Sequence, residues 1–189
     1  MNIFYLHKHP DRAASMHCDK HVVKMILESA QLLSTAHRVL DGIMSIELSE
    51  KGRKRKVWTL SDKRESLLYK ASHVNHPSAK WVRESNFNYM WLYRLLDNLC
   101  VQYSSRYHKL HKVERDNLLL HLSKLPRNIP ITHDATPIPQ CMPDEFKVEG
   151  NPVKAYRNYY MGHKVAMKKW NHSLTPEWWS ENMTEWMFN

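Results

Sequence analysis

The chain has 189 residues, 42% of them hydrophobic and 25% charged, with only 4 glycines and 3 cysteines. That composition supplies a buried core and argues against wholesale disorder. It leaves too few glycines for an all-β protein rich in tight turns or for a Gly-rich phosphate loop. Lys and Arg number 28 against 19 Asp and Glu, a formal charge of +9, and 13 histidines add to it below neutral pH. A polyanion, nucleic acid above all, is the partner such a charge predicts.

No stretch approaches the ~18 consecutive apolar residues of a membrane-spanning helix, so no membrane partner is expected. The apolar run Ile3 to Leu6 is too short to predict a signal peptide. Cys18, Cys100 and Cys141 are few, odd in number and far apart, which fits a reducing compartment, the cytoplasm.

In chain order, residues 1–6 read as a strand or an extended lead-in. Pro10 and Asp11 open a helical pattern that runs to Leu40, as one helix or as two with a joint near His17, and Gly42 stops it. Residues 43–59 lack a helical period and hold Lys51, Arg53, Lys54, Arg55 and Lys56, so an exposed loop or hairpin is predicted. A short helix follows over 61–72 with Ser61 as its cap. Pro77 opens another, Asn86 to Lys109 reads as a long buried helix, and Val113 to Leu125 as an amphipathic one.

Residues 126–152 carry repeated prolines, and a stretch that long without regular structure reads as a functional arm or a wrapped surface loop. Gln140, Met142 and Asp144 within it are unusual for a mere connector. A last helix is predicted from Pro152 to Trp170, and residues 176–189 form a Trp-rich tail with Trp178, Trp179 and Trp186. The expected fold is mainly α: a single compact helical domain over 1–189 with a long central helix and a Pro-rich arm.

Advancing 100° per residue from His17 places His21, Lys24, Glu28, Gln31, Thr35 and Arg38 within an arc of roughly 100°. Val22, Val23, Ile26, Ala30, Leu33, Ala36 and Leu40 fall outside it. Such a ribbon is commonly a solvated face. This one is chemically mixed, however, with Glu28 its only carboxylate and Lys24 one turn away. A lone acid among cations and amides suits general acid–base work or the stabilisation of an oxocarbenium ion.

The segment Asp19-Lys20-His21, six residues, then Glu28 resembles the pyrimidine-dimer DNA glycosylase/abasic-site lyase family, the small phage-type endonuclease V. Those proteins carry an Asp-x-His and then a catalytic Glu on their first helix, and are small, basic and mostly helical. His76-Pro77 with Arg83, and Tyr103 with Arg106-Tyr107, resemble a second block of that family. Tyr156-Arg157-Asn158-Tyr159-Tyr160 resembles its aromatic C-terminal segment. The blocks at 17–28, 30–42, 76–85 and 141–145 also resemble an uncharacterised family common in tailed-phage genomes, which implies an infected host cell but no activity.

The glycosylase resemblance implies Glu28 as the catalytic acid and an amine nucleophile. That family uses the α-amine of a Thr exposed by loss of the initiator Met, whereas Asn2 is too bulky for that loss. The amine of Met1, a lysine such as Lys20 or Lys24, or no lyase step at all remain as alternatives. An amine must be neutral to attack C1′, which an α-amine achieves more readily than a lysine.

His17 and His21 stand at the i, i+4 spacing of two metal ligands, but two imidazoles alone do not make a site. We expect them to contact phosphate or base or to support Glu28, with no metal and no cofactor. Aromatics interleaved with cations, at Lys80-Trp81-x-Arg83 and at Tyr156 to Tyr160, suit stacking on an unpaired or flipped base.

The sequence therefore predicts a nucleic-acid-directed glycosylase or lyase acting on a damaged, modified or flipped base, DNA being favoured. Glu28, Met1 and Lys24 are the candidate catalytic groups. His17, His21, Gln31, Arg38, His76, Lys80, Arg83, Tyr156, Arg157 and Tyr160 are the candidate substrate contacts. Two alternatives stand beside this reading: a non-enzymatic nucleic-acid-binding or phage–host interaction protein, and an enzyme acting on free nucleotides or nucleosides.

Overall fold

A computed structural model of the chain describes residues 2–163 and 168–179. About half of the chain is helical and the only sheet among the described residues has two strands, so the structure is mainly α. No helix among them is long and apolar enough to cross a membrane.

Residues 2–6 are an extended lead-in that joins no sheet, yet Ile3, Phe4 and Leu6 are buried. The helical pattern that follows splits at the joint near His17. Helix α1 spans Pro10–Ser15 and α2 spans Asp19–Asp41. Arg106 fixes that joint, donating to the carbonyls of Ser15 and His17 and pairing with the Asp19 carboxylate at 3.1 Å. From the other side, the Asp19 amide donates to the Lys169 carbonyl and the Asp19 carboxylate accepts the Asn171 amide at 2.7 Å.

Strands β1 (Ile43–Leu48) and β2 (Lys54–Thr59) form an antiparallel hairpin at the end of α2, with Ile43 opposite Thr59 and Leu48 opposite Lys54. Helix α3 is a single turn, Arg64–Leu67, instead of a helix over 61–72. The Asp62 side chain, not that of Ser61, accepts the Arg64 amide, and the carbonyls of Leu68 and Tyr69 turn away to meet Arg38.

Helix α4 (Pro77–Glu84) begins with His76 as its cap, and α5 (Asn86–Tyr107) packs along α2 through Tyr89, Leu92, Leu96 and Leu99. The predicted 113–125 helix is two short ones, α6 (Lys112–Arg115) and α7 (Leu118–Leu122). Asn117 between them adopts φ 55°, a left-handed conformation that a continuing helix does not accept.

Residues 126–151 contain no helix beyond a single 3-10 turn at Asp144–Phe146, and they are pinned at several points. The Asp41 carboxylate accepts the amides of Arg127 and Asn128, and Asn86 accepts the Thr132 amide. Asn88 exchanges bonds with Thr136, and the Trp81 indole donates to the Thr136 carbonyl. Helix α8 covers Pro152–Gly162 and ends well before Trp170; Gly162 lies against the Phe146 ring. Trp178 and Trp179 are buried beside Tyr160, whereas Trp186 lies outside the described residues.

Candidate functional site

The polar ribbon of α2 does not face solvent as a unit. Its two ends and its middle meet different surroundings. At the C-terminal end Arg38 is fully buried and its five N–H donors are all engaged. They reach the carbonyls of Tyr69, Trp58, Glu65 and Leu68 at 2.7–3.0 Å and the Glu65 carboxylate at 2.5 Å. Arg38 therefore holds the hairpin base and the 65–69 turn together and has no donor left for a phosphate, which corrects its assignment as a substrate contact. Burial would raise the Glu65 carboxyl, but Lys70, the Leu60 amide and Arg38 outweigh it and bring it down to about 2.

At the N-terminal end His17 is fully buried, its Nδ1–H donating to the Ala13 carbonyl at 2.7 Å. Burial lowers it to about 4, so it is neutral at physiological pH and is not a phosphate contact. His21 is half-buried, stacked on Phe4 with ring centroids 4.6 Å apart, and burial with its neighbours His17, Lys168 and Lys24 lowers it to about 2. His17 Nε2 and His21 Nδ1 have no hydrogen-bond partner among the described residues. No group of three potential metal ligands gathers around them or elsewhere among those residues.

The middle of the ribbon is where chemistry-bearing groups converge. Glu28 keeps only 16% of its side chain exposed. Its Oε2 accepts the Asn2 backbone amide at 3.1 Å, and its Oε1 lies 3.5 Å from the Lys24 ammonium, which is itself 62% exposed. Val22, Ile26 and Leu33 are buried behind it. Asn2 extends the site, because its side-chain amide donates to the Cys141 carbonyl and its Oδ1 accepts the Tyr156 hydroxyl. The Cys141 thiol in turn lies 3.5 Å from the Ser78 hydroxyl at the start of α4. Gln31, next on the ribbon, is half-buried.

His76 completes this wall. Its Nδ1 accepts the Ser78 amide at 3.2 Å as the cap of α4. The proton of the neutral ring must then sit on Nε2, leaving one N–H donor. Burial lowers its pKa, with the Glu28 carboxylate opposing that shift, so the neutral ring prevails at physiological pH. A cavity of about 440 Å³ opens beside it, lined by His76, Pro77, Pro139, Gln140, Cys141, Met142 and Lys147. Its outer wall is held by Gln140, whose amide clasps the backbone of Val148 through both its groups.

The remaining candidates are scattered. Tyr156 and Tyr160 are completely buried, the first with its hydroxyl on the Pro139 carbonyl, the second with its hydroxyl accepting the Cys18 amide. Neither presents a face for base stacking. Tyr156 is the floor beneath Asn2 and Cys141, and Tyr160 belongs to the core. Arg157 donates to the Leu6 carbonyl and lies over the Trp178 ring. It lines a different cavity of about 730 Å³ with His7 and Arg12. Arg83 folds back onto the Ala79 carbonyl, and Lys80 is exposed on α4. Met1 lies outside the described residues.

Two participants escaped sequence reasoning, Asn2 and Cys141. Neither has a periodicity that marks it, and only the block at 141–145 flagged the neighbourhood of the second. Comparison with protein-family models, curated proteins and solved structures gives no match at all.

Proposed function

We propose that the chain is a nucleic-acid-directed N-glycosylase acting on a damaged, modified or flipped base, with Glu28 at its catalytic centre and DNA as the favoured substrate. The observation that carries this reading is the setting of Glu28. It is a largely enclosed carboxylate held by one amide and one ammonium, on a wall shared with a neutral imidazole donor and an adjoining cavity.

The chemistry this suits is cleavage of the C1′–N bond. The departing base takes the bonding electron pair, and positive charge grows on C1′ and the ring oxygen. A fixed carboxylate stabilises that charge more in the transition state than in the ground state. In this mechanism the His76 Nε2–H donates to the leaving base or to a sugar oxygen. Water, or a neutral amine, then forms the new bond at C1′. If an amine does so, the ring opens to an iminium and Glu28 shuttles the protons that ring opening requires.

Lys24 and Lys20 are the described candidates for that amine, and the ion pair between Lys24 and Glu28 must open before Lys24 can attack. In this reading the Pro-rich segment, which lines the cavity through Pro139, Gln140, Cys141 and Met142, acts as an arm against the substrate.

Incubation with abasic, UV-irradiated and modified-base DNA tests the reading. Base release or strand nicking by the wild type and its loss in Glu28→Gln are expected. Borohydride trapping followed by peptide mapping reports whether an amine is involved and at which position. Full activity in Glu28→Gln overturns the mechanism, whereas nucleic-acid binding without base release or nicking by the wild type favours a non-enzymatic nucleic-acid-binding protein.

A further inference from the structure

The hairpin β1–β2 is the part of the molecule that core packing explains least. Ile43, Met44, Ile46 and Leu48 are 74%, 47%, 63% and 66% exposed, four large apolar side chains on six consecutive positions. Alternation along the strands sorts the hairpin into two unlike faces. On one face the register pairs Met44 with Trp58, Ile46 with Lys56 and Leu48 with Lys54. That face carries cations and apolar groups and no carboxylate. The opposite face holds the acid, where Glu47 pairs with Arg55 at 3.3 Å.

The tip is a turn in which Ser49 accepts the amides of Gly52 and Arg53, with Gly52 at φ 69°. It adds Lys51 and Arg53 against Glu50. The whole hairpin thus sets five cations against two carboxylates.

The base is rigid. Arg38 donates to the Trp58 carbonyl, and the Leu60 amide donates to Glu65. At Gly42 a side-chain carbon would fall 2.5 Å from the Arg38 carbonyl oxygen. A projecting ribbon with a fixed base and a soft, basic–apolar face is built to be laid against something. Glu28 sits on the same helix, thirteen residues before the helix end at Asp41, a rise of roughly 20 Å.

We infer that this face of the hairpin docks along a nucleic-acid duplex flanking the target nucleotide, an inference that rests on the nucleic-acid reading of the Glu28 site. Lys54, Lys56 and the tip cations sit on phosphates, and Ile46 and Leu48 rest on the apolar sugar and base surface of the groove. A two-stranded ribbon matches the width of the major groove, about 12 Å. A second copy of the chain is disfavoured as occupant because it would set lysine against lysine.

The test is fluorescence anisotropy of the full chain with an unmodified 30-base-pair duplex across a salt series. Glu28→Gln runs as a site control, and circular dichroism verifies the fold of each variant. Wild type and Glu28→Gln bind with a steep salt slope. Lys54→Glu/Lys56→Glu loses more than about tenfold in affinity, and its slope falls by about two. Ile46→Ser/Leu48→Ser loses several-fold with its slope unchanged.

Wild-type affinity in both hairpin variants overturns the docking inference and leaves the Glu28 reading intact. Base release by a wild type that binds no duplex does the same. Absence of both duplex binding and base release in the wild type removes the two together. Variants that keep duplex binding but lose association with phosphatidylserine vesicles, or lose self-association in sedimentation, overturn the inference in favour of a lipid surface or a second copy.

Discussion

The two halves of α2 have opposite polar surroundings. Around His37, Arg38 and Asp41 every polar group is answered. Arg38 has five bonds, and the Asp41 carboxylate, 2% exposed, takes Arg64 and two backbone amides. His37 sits between the Arg64 guanidinium and the Tyr89 hydroxyl. Around His21, Lys24 and Glu28 the answers are partial. One carboxylate is held by an amide and an exposed lysine, and imidazole nitrogens are left without partners among the described residues. Closed polar networks hold a fold together, whereas incompletely paired groups leave bonding capacity that the fold itself does not use.

The largest effect that would break this contrast is at Arg38. Arg38→Ala leaves four carbonyls without their donor in a buried setting and takes one of three partners from Glu65, and is expected to cost about 3–5 kcal/mol in chemical denaturation. Arg38→Lys recovers only part of it, since an ammonium cannot span that fork of acceptors. A loss of nucleic-acid affinity without loss of stability would place Arg38 with the open stretch instead. Glu28→Gln is the counterpart. Turnover is expected to fall by at least about 10²-fold, with stability nearly unchanged and affinity within about tenfold, because the proposed mechanism assigns the charge to the transition state.

These two residues also show what the sequence can and cannot disclose. The period of 3.6 correctly places Val22, Ile26 and Leu33 behind the ribbon, and its loss after Gly42 together with the basic cluster predicts an exposed loop or hairpin, of which the hairpin is found. It cannot separate Arg38 from Glu28, since both lie in the same arc. What buries Arg38 is the 65–69 turn, and what encloses Glu28 is the amide of Asn2, 26 residues away in the chain. Tyr156 and Tyr160 mislead for a similar reason: an aromatic beside cations has the same sequence signature whether it stacks on a base or caps a core. Helix boundaries failed where a single residue decided them, as with Asn117 in its left-handed conformation.

Acid sharpens the comparison, because a buried neutral histidine stands at either end of α2, His17 just before its start and His37 near its close. Burial lowers His17 and His37 from 6.5 to about 4, in His37 with a further contribution from Arg64. The unfolded chain then binds these protons more readily than the folded one. Stability is fully present above pH 6.5 and declines as pH falls from 6.5 towards 4, by up to about 3 kcal/mol for His17. The depressed carboxyls of Asp41 and Glu65 contribute their loss at lower pH, below their ordinary values near 4. His17→Gln and His37→Gln are each expected to remove one proton from the slope of unfolding free energy against pH between 4 and 6.5. A slope unchanged in both variants would mean that the titrating histidines lie elsewhere.

The smallest expected effect is the most discriminating, because His76 belongs to both kinds of polar group at once. Its Nδ1 closes the start of α4 by accepting the Ser78 amide, and its Nε2–H is the donor on the side that the cap leaves open. His76→Asn preserves the first role, since an asparagine oxygen is a strong N-cap, and deletes the second, since its side chain is too short to reach the same point. Unfolding free energy is expected to change by less than about 0.5 kcal/mol, while kcat falls by about tenfold or more at unchanged KM. His76→Ala loses the cap as well, and is expected to add about 1 kcal/mol of destabilisation to the same kinetic defect. If His76→Asn instead retains full turnover, the histidine is a helix cap alone. Glu28 would then perform the chemistry without a neighbouring imidazole donor, and the pH profile of kcat in that variant would match the wild type.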